Sequence, residues 1–203
     1  MFDSHAHIGE ITDKALVCSS SCDEYDKLQP FRYKAAGILP GCPFNDFSAM
    51  KTYAEQGWAI GEIGLDKRFS DIEVQAEIFR KALSIATDCN SFVILHVVRA
   101  YDRALHEIKH YGIKRFMVHG FSSSYEIAED IIKAGGMISL SPKAERLKSF
   151  GRLLSLPFVT ETDMKTGEEE MIVLKAWNEK LSAVTGIDIE KRSEEMMKEA
   201  LSE

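Results

Sequence analysis

The sequence predicts an α/β fold, a compact TIM-type (β/α)8 barrel. Three observations carry that prediction. Eight short apolar or β-branched runs recur along 203 residues, amphipathic patterns separate most of them, and potential ligand residues collect at the ends of the runs. Eight parallel strands joined by right-handed crossovers is the arrangement a closed barrel needs. Such barrels usually have about 250 residues, so this one must be small. The alternative, an open doubly wound sheet, usually binds phosphate at a glycine-rich first turn, whereas here the first strand ends in histidines.

The strand runs lie at 2–8, 15–19, 35–39, 58–65, 92–98, 115–121, 136–140 and 157–162. Residues 9–14 leave no room for a helix between the first two. Helical periodicity covers 47–56, 72–88, 102–110, 125–134, 146–156, 168–184 and, more weakly, 194–201. Within 72–88, Ile78, Phe79, Leu83 and Ile85 fall on or near one face. Ile127, Ile131 and Ile132 do the same in 125–134. Gly57, Gly112 and Gly135 stand where helices should stop. No internal repeat, low-complexity tract or linker interrupts the pattern, so 1–203 reads as one domain.

Composition narrows the function classes. With 45% hydrophobic and 28% charged residues the chain is an ordinary globular one. The 25 Lys and Arg against 32 Asp and Glu give a net charge of −7. That argues against coating nucleic acid by bulk charge, though it leaves room for a local basic groove. No apolar run approaches the roughly 20 residues that span a bilayer. The start, Met-Phe-Asp-Ser-His, has no basic segment followed by an apolar one, so no secretory leader is expected and the expected location is cytoplasmic. Cys18, Cys22, Cys42 and Cys89 are then expected to be reduced and mostly buried.

The chemistry gathers at strand ends. Four of the six histidines lie in or after strand runs. His5 and His7 are two apart on the first strand, so their side chains point the same way. His96 belongs to the fifth run and His119 to the sixth; Glu62 sits in Gly-Glu-Ile-Gly-Leu-Asp of the fourth, and Asp163 follows the eighth. Barrel active sites form at this mouth. Six converging N and O ligands would suit a pair of divalent metals. The rival motif His106-Glu107-Ile108-Lys109-His110 matches the H-E-x-x-H of zinc proteases. It lies on a short helix that ends at Gly112 and lacks a downstream third ligand, so its histidines are expected at the surface. Glu168–Glu170 and Glu194–Glu195 read as solvated helix faces or helix-start charges.

Asp3-Ser4-His5-Ala6-His7, Gly61-Glu62-Ile63-Gly64-Leu65-Asp66, His96, His119-Gly120-Phe121-Ser122 and Glu161-Thr162-Asp163 together resemble the TatD family. These are metal-dependent deoxyribonucleases of the amidohydrolase superfamily, and the resemblance spans residues 1 to about 165. It implies a distorted TIM barrel and a hydrolase with two divalent ions, Mg, Mn or Zn. It implies that His5, His7 and Asp163 hold one ion, His96 and His119 the other, and that Glu62 bridges. Asp163 and Glu62 would be the catalytic carboxylates. The implied partner is DNA, as single strands or strand ends, or a small phosphodiester; no protein partner is indicated. Departures lie in the substrate-facing shell. Leu39 stands where the family often has histidine, Val98 displaces an arginine to Arg99, and Ser123 replaces a glycine. Arg99 and Ser122 are the candidate substrate contacts, with Lys67, Arg68 and Lys143 near other strand exits. The alternatives are a superfamily hydrolase acting on a small ester, lactone or amide, or a metal-binding barrel without turnover.

Overall fold

The computed structural model describes residues 1–43 and 45–202. Eight parallel strands form one sheet in chain order, β1 (Asp3–His7), β2 (Ala15–Cys18), β3 (Tyr33–Ala36), β4 (Ala59–Asp66), β5 (Val93–Val98), β6 (Phe116–Val118), β7 (Gly136–Leu140) and β8 (Phe158–Thr160). The sheet is nearly closed into a barrel. At the seam, β1 bonds to the segment after β8: the His7 amide donates to Met164 at 2.7 Å and the Thr166 amide to His7 at 3.0 Å. Residues 8–14 form no helix, as the spacing requires.

Alternation along the strands builds two apolar layers. Leu16, Cys18, Ala35, Ile94, Met117 and Val159 belong to one buried cluster with Met197. Their strand neighbours Val17, Ala36, Ile60, Val93 and Leu95 pack instead with the surrounding helices. Those helices are α1 (Tyr25–Leu28), α2 (Phe47–Glu55), α3 (Ile72–Cys89), α4 (Tyr101–His110), α5 (Tyr125–Lys133), α6 (Phe150–Leu153), α7 (Glu168–Thr185) and α8 (Ile189–Leu201). Side chains cap several of them: Asp46 accepts from the Ala49 amide at 2.9 Å, and Ser124 from Ile127 at 3.4 Å. Among the described residues no helix is long and apolar enough to cross a membrane.

Four local features differ from the sequence reading. The pattern at 146–156 is not a helix but a 3-10 turn at Pro142–Arg146 and the single turn of α6. Leu147 is extended between them, with a ψ of 136°. The last helix starts earlier than 194, because Asp188 caps it by accepting from Lys191 at 3.0 Å. Glu170 is buried rather than solvated. Only Cys18 of the four thiols is buried; the others are half-exposed, and none of the four is in a disulfide.

Candidate metal centre

Strand β4 is buried along its whole length and carries Glu62, Gly64 and Asp66 at alternate positions. In the parallel register Gly64 lies opposite His96. A Cβ on Gly64 would overlap the His96 carbonyl oxygen, so the bare backbone there is what admits β5 so closely. Glu62 and Asp66 then reach His96 from its two sides. The His96 Nδ1 is 3.4 Å from Glu62 Oε2, and its Nε2 is 3.1 Å from Asp66 Oδ2. A proton on Nε2, donated to Asp66, leaves the Nδ1 lone pair facing Glu62 and His119.

Glu62 sits at the centre with its two oxygens divided. Oε1 lies 3.4 Å from His5 Nε2 and 3.6 Å from His7 Nε2. Oε2 lies 2.7 Å from His119 Nε2 as well as near His96. Asp163 completes the first half, with Oδ1 at 3.3 Å from His7 and 3.8 Å from His5. His96 Nδ1 and His119 Nε2 face one another at 3.1 Å in the second half. All six residues predicted from the sequence therefore converge.

The electrostatics are those of a collected ligand set. Burial opposes the charge of Glu62, but His119 and His5 outweigh it and hold the carboxyl well below its usual range. Burial lowers His5, whereas Asp163 raises His7 against burial. Burial also opposes the proton of His119, yet Glu62 beside it pushes that group well up. His5 Nδ1 and Nε2, Glu62 Oε1 and His119 Nδ1 are buried without a hydrogen-bond partner. Orphaned polar atoms cost free energy in an interior unless something else satisfies them. Lone-pair donors of His5, Glu62 and His119, and of His5, His7 and Asp163, approach within 4.8 Å of one another. The donor set fits divalent cations.

A cavity of about 200 Å³ opens beside the cluster, lined in part by Arg68, His96, Ser122, Lys143 and Asp163. Lys143 donates to Asp163 Oδ2 at 2.9 Å. Arg99 is exposed, has a left-handed backbone and is not among the residues lining this cavity. His106 and His110 are exposed on α4, outside the cluster, as expected.

A family model described as TatD related DNase matches residues 24–202. The chain belongs to the TatD related DNase family. It is 36% identical over 109 residues to the uncharacterized metal-dependent hydrolase MJ1582 of Methanocaldococcus jannaschii, covering 52% of this chain and 43% of that one. It is 27% identical over 168 residues to human deoxyribonuclease TATDN3, covering 75% and 61% of the two chains. To Escherichia coli YjjV, an uncharacterized metal-dependent hydrolase, it is 30% identical over 155 residues, 68% of this chain and 60% of that one. In these alignments the chain thus spans 43% to 61% of the length of its curated relatives. The crystal structure of YjjV superposes with a TM-score of 0.80 at 22% identity, covering 98% of this chain and 94% of that one, which shows the shared TatD fold.

Two supporting carboxylates escaped the sequence reading. Asp66 lies four residues from Glu62 on one strand, so alternation alone puts both on one face. Glu161 lies two residues before Asp163; it accepts from the Gly120 amide at 2.7 Å and from the Ser139 hydroxyl, and lies 3.8 Å from His119 Nδ1. Both sit inside the motifs that carry the family resemblance, and strand periodicity was the signal available for them.

Proposed function

We propose that this chain is a metal-dependent phosphodiesterase acting on single-stranded DNA ends. The observation that supports it most is the divided carboxylate of Glu62, with one oxygen toward His5 and His7 and the other toward His96 and His119. His5, His7 and Asp163 would hold one cation, His96 and His119 a second, and Glu62 both. Divalent cations there would supply charge stabilisation of phosphate oxygens and a water of lowered pKa. Four imidazoles among six ligands suit Zn2+ better than Mn2+ or Mg2+.

The chain's own groups supply the rest. Asp163 faces His7 with one oxygen and Lys143 with the other, so it can orient a water or accept its proton at the cavity edge. Arg68, Ser122 and Lys143 line the cavity where phosphate oxygens would lie. At about 200 Å³ the cavity is smaller than the roughly 300–1,000 Å³ of pockets that enclose a whole small molecule. A substrate held by one end suits it better than a small ester sealed inside. The name of the human relative, a deoxyribonuclease, points to the same polymer.

The test compares wild type, Asp163→Asn and His106→Ala on end-labelled single-stranded DNA with Mg2+, Mn2+ or Zn2+. Asp163→Asn should fold normally by circular dichroism and lose about 10²–10⁴-fold in rate. His106→Ala should match wild type. Equal rates for wild type and Asp163→Asn would sink the proposal. Inactivity on DNA with Asp163-dependent turnover of an ester or amide would move the reading to a small-molecule hydrolase.

A further inference from the structure

Phe69 is packed on one side and open to solvent on the other. Its side chain is 52% exposed, and it is the aromatic among the large exposed apolar side chains of the described residues. It lies in the connection from β4 to α3, at the mouth end of the barrel. The Phe69 amide donates to the Asp66 carbonyl at 3.2 Å, closing a tight turn that begins at the residue holding His96. That turn sets Arg68 in the cavity wall and places Phe69 immediately beside it. Beneath the ring runs Gly41, at a φ of 87°; a Cβ there would stand only 3.2 Å from the ring. One side of the ring therefore rests against backbone, and half of the side chain remains open to solvent.

We propose that Phe69 is the platform on which the terminal base of a single-stranded nucleic acid stacks. The proposal rests on the phosphodiesterase reading and deepens it. Charge complementarity chooses the occupant: exposed Lys67 and cavity-lining Arg68 precede the ring, Lys143 lines the same cavity, and although Arg68 is paired with Asp66 and Lys143 with Asp163, both cations stand at the cavity with donors to spare. An aromatic face beside cations is the pairing that single strands use, base on ring and phosphate on charge. Consecutive residues Arg68 and Phe69 would meet the phosphate and the base of neighbouring parts of one strand end. Stacking of this kind tolerates any base, because each presents a π face.

The test uses the metal-loaded protein and a short oligonucleotide with phosphorothioate linkages, carrying 2-aminopurine at one terminus or the other. Wild type and Phe69→Tyr should quench the fluorescence of one of the two probes. Phe69→Ala should abolish the quench and weaken binding about tenfold, within the range of base–aromatic stacking. With an abasic sugar in place of the terminal nucleotide's base, wild type and Phe69→Ala should bind alike. Undiminished quench and affinity in Phe69→Ala would overturn the proposal, as would a wild type that binds no probe. So would a Phe69→Ala protein whose one change is loss of self-association by light scattering, which would make the ring a contact between copies. Quenching and binding by a wild type that cleaves no DNA would instead defeat the hydrolase reading and leave the platform standing.

Discussion

The Asp163 amide donates to the His5 carbonyl at 3.2 Å. This seam hydrogen bond, beside those of His7 with Met164 and Thr166, also sets two members of the cluster side by side. Asp163 takes a left-handed backbone there, with a φ of 62°, a conformation uncommon for any residue but glycine. Next to it, Thr162 donates its hydroxyl to Asp3 at 2.6 Å, a second tie between the segment after β8 and the first strand. The bonds that close the seam thus also place His5, His7 and Asp163.

Glu62→Gln should lose both cations together rather than one. Its two oxygens face the two histidine pairs, and an amide offers a single neutral oxygen in their place. Metal analysis of dialysed protein should show less than half of the wild-type content. A variant that keeps one full equivalent would show that the two halves bind independently.

Asp66 should tune His96 without touching substrate. Burial opposes its charge, but Arg68 and His96 outweigh that and hold its carboxyl at about 2. Asp66→Ala should weaken metal binding about 10–100-fold, the usual cost of losing a histidine's orienting partner. Asp66→Asn keeps an acceptor for the Nε2 proton and should recover part of the loss. Unchanged affinity in Asp66→Ala, read by competitive chelator titration, would show that His96 needs no such support.

Gly64→Ala should destabilise the barrel by about 1–3 kcal/mol, the cost of overpacking a tight site. The added methyl would overlap the His96 carbonyl, and only a shift of β5 relieves it. Urea unfolding should show the loss, accompanied by weaker metal binding because His96 moves. Wild-type stability would mean that β4 and β5 separate freely.

Glu170→Gln should flatten the pH dependence of stability. Burial, and then the facing Glu170, raise Asp3 well above the usual carboxylate range, and burial raises Glu170. A carboxyl with a raised folded pKa contributes stability that is present below its unfolded value of about 4 and lost as pH rises through the folded value. Wild type should therefore lose more stability than the variant as pH rises above the unfolded carboxylate value of about 4. Urea midpoints from that value upward check it; parallel curves would show that the pair does not titrate there.

Much of the candidate site was legible because its residues are few and chemically distinct. His5 and His7 share a face by simple alternation, Glu62 and His96 lie within β4 and β5, and His119 and Asp163 follow β6 and β8. The strand count was legible for the same reason, since β-branched runs and helical patterns differ in period. Short elements were not: α1 and α6 have four residues each, too few for any period to show. Arg99 looked like a phosphate contact from its place after His96, but its left-handed backbone and exposure leave it outside the cavity lining.

The sequence by itself determined the barrel and the identity of the six converging residues, because periodicity and residue type are local properties. Tertiary structure decided how those residues divide. Which oxygen of Glu62 faces which histidine pair, that Asp66 holds His96, that Glu161 stands behind His119, and that Glu170 lies buried against Asp3 all depend on strand register and seam closure. These bring together residues as far apart as His7 and Asp163, and no local pattern encodes such distances.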